Sequence, residues 1–198
     1  MEKEFGVIIL AAGKSSRLGR PKQSLVFKNG TLLNRLVKTA IALDCGPVVV
    51  VLGSDAELFI NDCEGAITII NENWQKGMAG SIRCGLVALL QKFPSLKGTI
   101  ISVCDQPHVI TELLQQLIDK YRQSHLPIIA SNYGEVTGTP VFFHYSIFPE
   151  LMQLEGDKGA KVILQKDKER VGLVNFPLGK EDIDTEADYA KLLKTDLK

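Results

Sequence analysis

Short, largely apolar runs recur along the chain at 7–11, 48–52, 67–70, 99–103, 128–130, 141–143 and 171–174, several of them continuously apolar and β-branched. Runs without polar alternation predict strands covered on both faces. Between them, apolar positions fall at helical spacing. Leu33, Leu36, Val37, Ala40 and Ile41 share one helical face. So do Ile82, Leu86, Leu89, Leu90 and Phe93, and again Leu113, Leu114, Leu117, Ile118 and Tyr121. Thr111 reads as the N-cap of the third helix. Thr185, with Asp188 three residues on, reads as a capping box opening a C-terminal helix.

Strand alternating with helix predicts an α/β fold: a mostly parallel central sheet with helices on both faces, as in Rossmann-like three-layer sandwiches. No repeat, low-complexity tract or Pro/Gly/Ser linker divides the 198 residues, a length that suits one sizeable core. A single domain is expected.

Charge narrows the partners. Lys+Arg and Asp+Glu both number 23. There is neither the basic excess of a nucleic-acid binder nor a polybasic membrane patch. An anionic ligand must therefore be held by a local site. The early apolar run over 7–12 is too short for a signal-peptide core or a membrane span. Cys45, Cys63, Cys84 and Cys104 stand singly with no CxxC pair, which predicts reduced, mostly buried thiols and a cytoplasmic protein.

In parallel sheets, ligands bind beyond the carboxyl ends of the strands, so the chemistry is sought there. The first run is followed by Leu10, Ala11, Ala12, Gly13, Lys14, Ser15, Ser16 and Arg17, then Gly19, Pro21 and Lys22. Small residues let backbone approach a ligand, and successive N–H groups cradle phosphate oxygens. The bland alternative is a solvated basic turn. Neither GxGxxG nor GxxxxGK[ST] is present, which excludes those two phosphate modes. Asp105 follows the fourth run, where a poorly hydrated carboxylate needs a partner such as a hard divalent cation. Its alternative is a turn cap. Asp184 sits just before the C-terminal helix, where an acidic residue is also ordinary dipole chemistry. Asn71 to Trp74, with Gly77, Met78, Gly80 and Ser81, joins a strand to a helix N-terminus and offers amides, a hydroxyl and free N–H groups. Its alternative is a glycine-rich turn with Trp74 in the core. Gly156, Asp157, Lys158 and Gly159 open a second helix-like stretch, with a surface turn as the alternative. His108, His125 and His144 share no metal-ligand spacing and read as structural.

Taken in order, these segments resemble a known family. Leu10, Ala11, Ala12, Gly13, Ser15, Arg17, Gly19 and Lys22 are similar to the signature loop of nucleotidyltransferases with a GT-A-type fold. Asn71/Trp74/Gly77/Met78/Ser81, Cys104-Asp105-Gln106-Pro107, Gly138 with Pro140, Gly156 to Ala160, and Asp184-Thr185 with Asp188 resemble the molybdenum cofactor cytidylyltransferase branch. Leu18 stands where the family often has Met, at similar volume. The resemblance implies a mixed, mostly parallel sheet, with a nucleotide-binding half over about 1–125 and an acceptor-binding half over about 126–198. It implies that Leu10, Ala11, Ala12, Gly13, Ser15, Gly77, Met78, Ser81 and Asp105 bind the nucleotide. Arg17, Lys22 and Asp105 would be catalytic, and Asp105 with Asp184 would hold Mg2+. Gln106, Gly138, Pro140, Gly156, Asp157 and Gly159 would face the acceptor.

The reaction so implied moves a nucleoside monophosphate from an NTP, CTP by preference, to a phosphorylated acceptor, molybdopterin by preference, with a molybdenum hydroxylase as client. Ala12 replaces a second glycine typical of guanylyltransferase relatives, and its methyl would crowd a purine. A backbone carbonyl near Ala11 or Gly77 would accept from the cytosine amino group. Rival readings are a guanylyltransferase, a sugar- or polyol-phosphate transferase, and a non-catalytic nucleotide- and cofactor-binding accessory protein.

Overall fold

The computed structural model describes residues 3–15, 17–157 and 159–195. Ser16 and Lys158 of the loop motifs lie outside the described residues. The chain runs β1 (Phe5–Ala11), the short hairpin β2 (Val26–Phe27) and β3 (Gly30–Thr31), α1 (Leu32–Ala42), β4 (Val48–Leu52), β5 (Ile67–Ile70), α2 (Met78–Lys92), β6 (Gly98–Val103) and α3 (Thr111–Ser124). It continues through β7 (Ile128–Asn132), β8 (Thr137–His144), α4 (Phe148–Met152), α5 (Lys161–Lys166), β9 (Val171–Asn175) and α6 (Glu186–Thr195).

Each of the seven apolar runs becomes a strand of one seven-stranded sheet, ordered β5-β4-β1-β6-β8-β7-β9. Neighbouring strands are parallel except where β8 runs antiparallel to both β6 and β7. The sheet is thus mixed and mostly parallel, as expected. The central strands are covered on both faces, whereas the edge strands are not: Ile70 of β5 is 52% and Leu173 of β9 47% exposed. Val7, Ile9 and Ala11 of β1 pack with α1 and α3, whereas Ile8 and Leu10 pack with α2, α4 and α5. Alternate residues of one strand therefore enter two separate cores, which is why the central runs show no polar alternation; the polar exceptions Thr99 and Ser102 of β6 are fully buried.

The helix faces hold with local exceptions. Leu33, Leu36, Val37 and Ala40 are buried, but Ile41 is 38% exposed. Phe93 lies past the end of α2 and is 39% exposed. Thr111 is not the N-cap of α3. Ile110 takes that position in extended backbone, and the Thr111 hydroxyl instead donates to the Thr39 carbonyl at 3.1 Å. A partner on another helix has outbid the local cap.

The Thr185–Asp188 capping box forms. Asp188 N–H donates to Thr185 Oγ1 at 3.2 Å, and Thr185 N–H donates to Asp188 Oδ2 at 2.8 Å. Helix α6 is then docked far from its sequence neighbours. Ile183 and Leu192 pack with Leu18, Leu25, Phe27 and Leu32 in a small satellite core. Tyr189 OH donates to the Val26 carbonyl, and Arg20 grips Glu186 through two hydrogen bonds. The C-terminal segment is thereby fastened over the glycine loop. Among the described residues, no helix is long and apolar enough to cross a membrane.

Candidate active site

The glycine loop leaves β1 at the carboxyl edge of the sheet and is tied back on itself. Ser15 adopts positive φ (55°), its hydroxyl accepts from Lys22 N–H at 3.0 Å, and its carbonyl accepts from Leu18 N–H at 3.0 Å. This closure brings Lys22 beneath the loop and leaves Arg17 largely exposed at the rim. The loop walls one side of an open cleft of about 490 Å³. Leu10, Ala11, Ala12, Gly13 and Ser15 line it on that side, and Gly77, Met78 and Ser81 from the start of α2 line the other. Every residue expected at the nucleotide site thus faces one cavity.

The charged groups converge at its mouth. The Lys22 ammonium donates to Asp105 Oδ2 at 3.1 Å and also to Asp184 Oδ1, while Arg17 meets Asp184 Oδ2 at 2.7 Å. Asp105 comes from the end of β6, and Asp184 from the segment before α6. A backbone hydrogen bond from Ile183 N–H to the Asp105 carbonyl (3.0 Å) joins these segments, and the capping box holds the Asp184 backbone. Burial works against the Lys22 charge, but Asp105 and Asp184 outweigh it, so its pKa stands above the ordinary lysine value. Burial, with Asp105 and Asp184 nearby, pushes the neighbouring Asp182 carboxyl above the usual carboxylate range.

Two carboxylates sharing one cation form a hard oxygen donor set of the kind a divalent metal prefers. Among the described residues, no group of three or more His, Cys, Asp or Glu side chains is arranged to hold a metal. A cation here would complete its shell with phosphate oxygens and water, as Mg2+ usually does. The residues fit such an ion at this end of the cleft. Thiol chemistry has no comparable support: burial first, then Asp105, pushes Cys104 up to about 12, and burial pushes Cys45 up to about 11.

A second cavity of about 720 Å³ adjoins the first, sharing Leu10, Met78, Val103, Asp105 and Asp157. Of the residues expected at the acceptor, Gln106, Gly138, Asp157 and Gly159 line it. Asp157 therefore stands on the seam of both cavities instead of belonging to one half. Gly156 and Pro140 act through their backbones. The Gly156 carbonyl accepts from Ala79 N–H at 3.1 Å, and the Pro140 carbonyl accepts from the Ser131 hydroxyl at 2.7 Å. Gly138 and Pro140 belong to β8, longer than the expected 141–143. Its register against β7 jumps between Ala130 and Ser131, which leaves Thr139 and Pro140 bulged. Gln106 is a joint. Its amide donates to Tyr133 OH (2.9 Å) and the Gly179 carbonyl (3.0 Å), and its oxygen accepts from the Thr139 hydroxyl (3.0 Å).

Several lining residues gave no sequence signal. Gln23 is buried, and Tyr133, Lys161, Lys180 and Asp182 reach the second cavity from distant segments. The Ser81 hydroxyl accepts from the buried Asn71 amide at 3.0 Å, which anchors the start of α2. The histidines are structural. His108 pairs with Glu181 (3.0 Å), His125 caps α3 at positive φ, and His144 stacks on Tyr121.

Gly77 couples the two cavities. Its φ is +104°, and a Cβ there would meet the Gly156 carbonyl at 2.4 Å and Asp157 Oδ1 at 2.6 Å. Gly77→Ala is expected to destabilise the fold by about 1–3 kcal/mol, because backbone strain and a backbone clash coincide. Chemical denaturation measures this, and an unchanged midpoint would refute the close approach.

Comparison with known proteins bears on this arrangement. Nicotine blue oxidoreductase of Paenarthrobacter nicotinovorans is 27% identical over 94% of this chain and 95% of its own length. The purine catabolism protein PucB of Bacillus subtilis is 28% identical over 92% of each. Among solved structures, Rv0371c of Mycobacterium tuberculosis superposes with a TM-score of 0.84 at 30% identity, covering 96% of this chain and 97% of its own. A manganese complex of the same protein gives 0.79 at 27% identity, covering 97% and 99%. The family model for the MobA-like NTP transferase domain matches residues 7–171, from the first strand with its glycine loop to the start of the last strand, and the chain belongs to that family.

Proposed function

We propose that this nucleotidyltransferase moves CMP from CTP to molybdopterin, or its metal-loaded form, and releases pyrophosphate. The compartment is the cytoplasm and the client a molybdenum hydroxylase. The observation that carries the acceptor assignment is the second cavity. Leu10, Ile82, Ile101, Val103, Val141 and Leu164 form an apolar lining, with Lys161, Lys180, Glu135 and Asp182 among its charged groups. A sugar or polyol phosphate calls for dense polar contacts, whereas a fused heterocycle matches an apolar wall with a few polar groups. The cavity also meets the nucleotide cleft at Asp105, where both substrates' phosphates would lie. In this reading the nucleotide-binding half, about 1–125, and the acceptor-binding half, about 126–198, would meet at Asp105 and Asp157.

In this reading the loop amides hold the triphosphate. Lys22 and Arg17 offset charge on the oxygens of the departing pyrophosphate. Asp105 and Asp184 would hold Mg2+, which when bound neutralises phosphate charge and favours in-line displacement at the α-phosphorus. An acceptor phosphate is already ionised near neutral pH, so no strong general base is required, consistent with the structural roles of the three histidines.

Base choice rests on Ala12. Ala12 lines the cleft, and a Cβ built on Gly53 would meet the Ala12 methyl at 2.9 Å, so the methyl lies beside Gly53. The Ala11 carbonyl already accepts from Gln23 at 2.6 Å, which weakens its candidacy as the partner of the cytosine amino group. Pyrophosphate release with each NTP and molybdopterin is the test. CTP should exceed UTP by about 5–150-fold, the equivalent of one buried polar group left unpaired at about 1–3 kcal/mol. A preference for GTP, or turnover only with a sugar phosphate, would overturn the assignment.

A further inference from the structure

Gln23 has no role in the chemistry described so far, yet it is 2% exposed and lines the nucleotide cleft. Its amide nitrogen donates to the Ala11 carbonyl at 2.6 Å and to the Gly13 carbonyl at 3.2 Å. Both acceptors are backbone groups of the glycine loop. A single side chain therefore sets the direction of two peptide planes, 11–12 and 13–14. In a planar trans peptide the C=O and N–H bonds point opposite ways. Drawing the Ala11 and Gly13 carbonyls toward Gln23 turns the Ala12 and Lys14 N–H groups away from it.

The direction of these planes decides whether the loop attracts or repels phosphate. An N–H aimed at a phosphate oxygen binds it, and a carbonyl in the same place repels it. Glycine at position 13 leaves the 13–14 plane free to rotate, so an external tether is needed. The tether carries a cost. The Gln23 side-chain oxygen is buried with no hydrogen-bond partner among the described residues, and a polar atom left in that state costs stability unless something else retains it.

We infer that Gln23 is a positioning residue that holds the glycine loop with its amides presented to the nucleotide's phosphates. It touches backbone and not the reacting atoms. The inference rests on the nucleotidyl-transfer reading but is independent of the base and of the acceptor.

The test uses inorganic tripolyphosphate and CTP, each with Mg2+, titrated into the full chain and its Gln23→Leu variant. Leu keeps the approximate volume and cannot donate. Tripolyphosphate and CTP should each bind at least about tenfold more weakly to the variant, the equivalent of about 1.4 kcal/mol or more. Cytidine, which has no phosphate, should bind both proteins alike. Equal tripolyphosphate affinity, or an equal loss of cytidine binding, would overturn the inference, the second by showing a general collapse of the cleft. A measurement on the unmodified protein covers the case in which the variant does not fold. In an amide NMR titration with tripolyphosphate, the Ala12 and Lys14 N–H signals should be among those that shift most, and unmoved signals would overturn the inference. A preference for GTP over CTP would defeat the base assignment and leave the tripolyphosphate result standing.

Discussion

Asp105→Asn is expected to lower turnover by about 10³-fold or more while the protein keeps its fold. The carboxylate sits at the end of β6, where it accepts from Lys22 and borders both cavities. An amide has nearly the same shape but no charge, so it can neither anchor a divalent cation nor balance Lys22. Removing one electrostatic contact from such a site typically costs about 10²–10³ in rate, and this change removes two functions together. The fold should survive because the link between segments here is the Asp105 carbonyl, which accepts from Ile183 N–H whatever the side chain. Pyrophosphate release at saturating Mg2+, alongside a thermal melt, checks both parts. Near-normal turnover would remove Asp105 from the chemistry, and a lost transition would make its role structural.

Lys22→Ala is expected to produce two effects that metal separates. Without metal, Asp105 and Asp184 lose the ammonium they share. Two carboxylates left facing each other destabilise the fold by about 1–3 kcal/mol, a moderate figure because both side chains are 26% exposed and water screens part of the repulsion. A divalent cation takes the place of the missing charge, so added Mn2+ or Mg2+ should raise the melting temperature of the variant more than that of the parent protein. The chemical step should not recover. Loss of a cation from the phosphate end lowers the rate by about 10²–10³, with nucleotide affinity changed less. Thermal melts with and without metal, followed by single-turnover kinetics, distinguish the outcomes. Equal metal-induced shifts in the two proteins would argue that Lys22 does not stand in for the cation. A loss of affinity with an unchanged rate would make Lys22 a ground-state binding residue.

Much of the site was legible because parallel sheets concentrate function at strand ends. Once the runs at 7–11 and 99–103 read as strands, the loop after Ala11 and the carboxylate at Asp105 followed from topology. Asp184 stood out only in combination with Asp105, because an acidic residue before a helix is ordinary on its own. Gln23 was not, because a lone glutamine between Lys22 and Ser24 carries no pattern, and its importance lies in two carbonyls reached only when the loop folds back. Asp157 was assigned to one half by its position in the sequence. The contact of Gly77 with Gly156 moved it to the seam of both.

By itself, the sequence determined the seven strands of the main sheet, the principal helices, their alternation and the placing of the functional loops beyond strand ends. These follow from hydrophobic period and local capping, which act over a few residues and survive in one dimension. Tertiary structure alone decided that β8 runs antiparallel with a bulge at Thr139–Pro140, that Ile110 and not Thr111 caps α3, and that α6 closes over the glycine loop. It also decided that Lys22 bridges two carboxylates 83 and 162 residues away. Hydrogen bonding and charge pairing depend on separation in space over a few ångströms, and for residues so far apart along the chain that separation is set only when the two cores pack and bring the strand ends together.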